Sequence, residues 1–169
     1  MGLRLVTIAA LAAAFAAGFG APAKGATVTA QVNAQVVKPL TIERVQDLDL
    51  GTMVLGPGSW SGATVKLSRA GILTCPANLT CSGATQVAIY NVVGTKSQQV
   101  VMTVPKVTLV NQLDSSKTLV LTPDNQATVQ LTNSGKPGTN VPIGGSITIN
   151  STTAGGTYVG TFNVTADYQ

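Results

Sequence analysis

G-T-Y-V-G-T-F-N-V-T-A-D-Y-Q, residues 156–169, decides the fold class. Tyr158, Phe162, Val164, Ala166 and Tyr168 fall on one side of an extended chain, with Gly160 in the same row. Val159, Thr161, Asn163, Thr165, Asp167 and Gln169 fall on the other, and all but one of these are polar. A period of two held over this length marks a strand with one buried face. A strand at this position also leaves an edge that another chain can pair with unless something covers it.

The same period recurs at the other end. In A-T-V-T-A-Q-V-N-A-Q-V-V (26–37), Val28, Ala30, Val32, Ala34 and Val36 alternate with Thr27, Thr29, Gln31, Asn33 and Gln35 without exception. Lys38-Pro39 ends the run, because proline brings no N–H to a ladder and restricts the residue before it. Between these ends, short alternating pieces recur at 40–42, 48–53, 63–67, 99–104, 107–113, 118–121, 127–132 and 146–150. Residues 87–93 form a continuous apolar run, as expected of a central strand covered on both faces. Glycine, proline and asparagine clusters such as Gly56-Pro57-Gly58 and Pro123-Asp124-Asn125 mark turns between them. The pattern predicts an all-β domain, a sandwich of immunoglobulin-like type.

The first residues follow the grammar of a secretory signal peptide. A positive start at Arg4 is followed by an apolar run from Leu5 to Phe19 and then by small residues up to Ala26. Residues 1–25 are therefore expected to be cleaved, after Ala23 or Gly25, leaving an exported chain of about 144 residues with no transmembrane segment. That length suits one domain, residues 38–169, preceded by the strand 26–37.

Charged residues make up only 9% of the chain, which suits an extracellular β-protein with Thr, Gln and Asn on its wet faces. Setting aside Arg4 and Lys24, eight basic residues face six acids and form no cluster, so nucleic acid is not an expected partner. The two cysteines, Cys75 and Cys81, are expected to form a disulfide in an exported chain; the small loop contributes about 2 kcal/mol. With no histidine and six dispersed acids, neither a catalytic triad nor a metal site is expected, and no cofactor is implied. Trp60, in G-S-W-S-G, is open to two readings: stacking on a sugar ring or capping the core.

The two ends carry a resemblance. The final strand, with Tyr168 next to last and Gly156 ahead of it, resembles the chaperone-recognition strand of chaperone–usher pilins. Residues 26–37 resemble their donor strand, and L-D-L-G-T-M (48–53) an early strand of those subunits. The order P-L-T-I, L-D-L-G, G-G-S-I and A-G-G-T-Y-V-G-T-F is similar to a bacterial domain-of-unknown-function family of pilin-like secreted proteins, related in style to spore-coat-protein-U subunits.

The resemblance implies a sandwich that lacks its last strand and takes the N-terminal strand of the next subunit in its place. Val28, Ala30, Val32, Ala34 and Val36 would enter the groove, and Gly156, Tyr158, Phe162, Val164, Ala166 and Tyr168 would flank it. Expected partners are further copies or related subunits, a periplasmic chaperone and an outer-membrane usher, with the cell surface or a fimbria as destination and adhesion as the setting. The tight Cys75–Cys81 loop departs from the longer disulfide of typical pilins. The alternative is a monomeric secreted binding module that closes its own sheet with residues 26–37 and meets a carbohydrate or surface ligand near Trp60.

Overall fold

A computed structural model describes residues 25–169, so the expected signal peptide falls almost wholly outside the described residues. The chain divides into two units, Met1–Gln35 and Val36–Gln169. In the first, residues 25–35 belong to no strand or helix and expose their side chains; Val28 and Val32 are 92% and 90% exposed. No helix among the described residues is long and apolar enough to cross a membrane.

The second unit is all-β and built from antiparallel ladders. Its strands are β1 (Thr41–Gln46), β2 (Thr52–Leu55), β3 (Ala63–Leu67), β4 (Leu73–Thr74), β5 (Leu79–Ser82), β6 (Ala88–Val93) and β7 (Gln99–Thr103). They continue with β8 (Val107–Asn111), β9 (Thr118–Asp124), β10 (Thr128–Gln130), β11 (Thr139–Ile149), β12 (Tyr158–Val159) and β13 (Thr165–Tyr168). The largest sheet runs β1-β6-β11-β9-β8-β12, with β3 and β4 attached beside β11. Two small sheets, β10-β7-β13 and β2-β5, complete the unit.

The organising strand is β11. Its first part, Thr139–Ile143, pairs with β6, and from Gly144 onward it pairs with β9 and β3. The change of partners falls at Gly144-Gly145, where a Cβ on Gly144 would collide with the Leu67 carbonyl. Only a bare backbone lets β3 come this close. Pro142 is accommodated because just one edge of β11, the one facing β6, is paired at that point.

Two segments differ from the expected pattern. Pro123-Asp124 is strand rather than turn: Pro123 and Asp124 end β9 and lie opposite Gly145 and Gly144 of β11. The stretch 156–169 is not one strand but two, β12 on β8 and β13 on β7, with 160–164 in no ladder. Six positions separate Val159 from Thr165, whereas seven separate their partners Val110 and Thr103. One residue is left over beside Pro105, which has no N–H to offer, so the ladder breaks there.

The apolar interior forms two clusters. Val65, Leu121, Ile147 and Ile149 centre the first; Val92, Val100, Leu131 and Val141 centre the second. Cys75 and Cys81 form the expected disulfide, tying the end of β4 to β5.

Candidate functional site

The path of the large sheet ends at β1 and β12, each paired on one edge only. Between these ends lies a groove of about 790 Å³. Arg44 and residues 47–53 form one lip, and residues 153–162 form the other. Leu109, Leu119, Leu121, Ile147 and Ile149, from three adjacent strands, supply an apolar floor. All five belong to the first cluster, so the core itself opens into the groove. Leu48, Leu50, Met53 and Phe162 pack against that cluster while remaining half-exposed.

Beyond the groove, Leu40 and Ile42 on the β1 side and Val164, Ala166 and Tyr168 on the other all pack against the second cluster, and none of the five lines the groove. At the mouth, Tyr90 of β6 and Phe162 stand with ring centroids 6.2 Å apart. Burial pushes the Tyr90 phenol above its ordinary pKa; the Arg44 charge works against this and Asp47 adds to it. Arg44 and Asp47 pair at 2.7 Å in the open, where such a contact contributes little.

Sequence chemistry explains the 153–162 lip. Asn111 is 1% exposed; its amide nitrogen donates to the Gly155 carbonyl at 3.0 Å, and its amide oxygen accepts from the Leu113 N–H at 2.8 Å. Gly156 sits at a φ of 141° directly on this amide, where a Cβ would stand 2.6 Å from Nδ2. The Tyr158 hydroxyl donates to the Ala154 carbonyl at 2.8 Å and tightens the turn. Gly160 lies against β8, where a Cβ would come within 2.8 Å of the Thr108 carbonyl oxygen.

The expected groove residues therefore divide. Gly156, Tyr158 and Phe162 line the open groove; Val164, Ala166 and Tyr168 pack on the second cluster instead. The Tyr168 hydroxyl is occupied within the domain, donating to the Lys38 carbonyl at 2.8 Å and accepting from the Thr95 N–H at 2.8 Å. Trp60 is half-buried against the first cluster, and its indole N–H donates to the Gly56 carbonyl at 3.3 Å. Of the five alternating apolar residues, Val28, Ala30, Val32 and Ala34 lie in the first unit and Val36 opens the second, all exposed.

The lip at 44–53, the floor residues Leu109 and Leu119, and Asn111 are the parts that sequence reasoning missed. The L-D-L alternation at 48–50 was a visible signal for the lip, but a buried asparagine gives none. Residues 40–168 match the family described as Domain of unknown function (DUF4402). No curated protein and no solved structure matches the chain.

Proposed function

We propose that this chain, which belongs to the DUF4402 family, is an exported structural subunit of a surface fibre whose copies join by donor-strand exchange. One observation carries the reading: an apolar groove lies open between two unpaired sheet edges, in a chain that also holds an exposed segment of matching periodicity. Residues 26–37 of a second copy are the occupant. Extended at about 3.3 Å per residue, the segment reaches about 40 Å, enough to follow an edge strand through the groove.

On this reading the domain is an immunoglobulin-like, pilin-type sandwich short of one strand, which arrives in trans. Val28, Ala30, Val32, Ala34 and Val36 face the floor, and burying them contributes on the order of 5–8 kcal/mol at most. The backbone of 160–164, in no ladder, offers hydrogen bonds to the incoming strand. A periodic row of exposed valines is unfavourable in water, and so is an open apolar groove; joining them removes both. During export a periplasmic chaperone covers the groove, and an outer-membrane usher receives the subunit.

Deleting residues 26–36 tests the assignment. The shortened chain is expected to form no multimers while its groove still binds a synthetic peptide of sequence 26–37. Multimers of normal length from the deletion would contradict it.

A further inference from the structure

Lys38 is the last residue before the Pro39 break, and both of its backbone groups are held. Its N–H donates to the Thr95 hydroxyl at 2.7 Å, and its carbonyl accepts from the Tyr168 hydroxyl at 2.8 Å. The same hydroxyl accepts from the Thr95 N–H, so three residues close a small network. A Cβ on Gly94 would collide with the Tyr168 hydroxyl, so glycine at that position is what admits it. Leu40, two residues on, packs on the same cluster as Tyr168.

We infer that this Tyr168–Lys38–Thr95 clamp is the device that directs residues 26–37 to a second copy rather than to the groove of their own chain. The inference rests on the strand-exchange reading and adds to it the choice between donation in trans and closure in cis.

Entry in cis requires a hairpin, with residues 26–37 folding back along the edge of β1 that β6 does not pair. The short route is a turn over Lys38-Pro39-Leu40-Thr41. A two-residue hairpin there needs the Lys38 N–H, a single donor, for the Thr41 carbonyl, but that N–H is already given to the Thr95 hydroxyl. A hairpin starting here would also disturb Leu40 and Ile42, which pack on the second cluster together with Val164, Ala166 and Tyr168. A strand from another copy needs neither change. Tyr168 thus acts as a positioning residue: it lends no surface to the open groove and fixes the root of the donated strand.

The test uses the full exported chain and two independent variants, Tyr168→Phe, which keeps the ring, and Thr95→Val, which keeps the core intact. Each is run unboiled on a denaturing gel, and the ratio of compact, heat-sensitive monomer to multimer is measured among folded molecules. Losing one clamp hydrogen bond is expected to raise that ratio on the order of 2- to 10-fold. The added compact monomer must disappear when residues 26–36 are also deleted, which identifies it as closed in cis. A purely structural role would lower melting temperature or yield and leave the ratio at its wild-type value, and that result would overturn the clamp. If Tyr168→Phe fails to fold, Thr95→Val decides alone by the same ratio. Absence of multimers from the wild-type chain would instead overturn strand exchange itself, and the clamp with it.

Discussion

The rings of Tyr90 and Phe162 meet at a centroid separation of 6.2 Å and an interplanar angle of 51°, joining a central strand to the ladder-free stretch 160–164. Tilted aromatic pairs of this kind add about 0.5–1.5 kcal/mol beyond the area they bury. Phe162 is only half-buried, so Phe162→Ala should cost about 1–2 kcal/mol, less than a fully buried phenylalanine. Chemical denaturation of the variant checks this, and its multimers should fall apart at a lower temperature than those of the wild type.

Tyr90 also gives the fold a pH dependence. Its folded pKa is raised above the ordinary value, chiefly by burial, so the folded state holds the proton more tightly than the unfolded one. The associated stability is fully present below the unfolded pKa of about 10 and is lost as pH climbs through the folded value. Thermal melts should show this loss only above about pH 10, and Tyr90→Phe should flatten that part of the profile.

The lip built on Asn111 makes a third prediction. Asn111→Leu removes the donor to Gly155 and the acceptor for Leu113 at a buried site, and is expected to destabilise the domain by about 1–3 kcal/mol. Gly156→Ala drives a Cβ into the same amide at a φ that favours glycine, and should cost a similar amount. Both should weaken capture of a peptide of sequence 26–37, measured by fluorescence titration, because the lip is displaced.

Opening the six-residue separation between Cys75 and Cys81 should matter less for assembly. The disulfide lies at the end of β4 and in β5; neither cysteine lines the groove itself, although Cys81 sits opposite Met53 of the lip. Cys75→Ser with Cys81→Ser is expected to lower stability by about 2 kcal/mol, seen as a reduced melting temperature, with multimers still formed.

What the sequence makes legible is which side of a strand faces inward. Tyr158, Phe162, Val164, Ala166 and Tyr168 are all half-buried, and the odd-numbered residues between them are exposed. Period two reports faces but not neighbours, so it did not reveal that 158–159 and 165–168 belong to different sheets. That division depends on Pro105 and a one-residue surplus more than fifty positions away. Pro123 misled for a similar reason, since the residues it pairs alongside, Gly144 and Gly145, belong to β11 and are not its neighbours in sequence. The groove was inferred beside the C-terminal strand, but its second lip comes from residues 44–53, brought there by the curl of the sheet. The Tyr168 hydroxyl likewise finds Lys38 and Thr95 only once the chain has folded.

The most direct test of the account is a denaturing gel of the exported protein, run with and without boiling. Strand exchange predicts a ladder of multimers in the unboiled lane that collapses to a single monomer band on boiling. A monomer band in both lanes, together with a monomeric mass in solution, would contradict it.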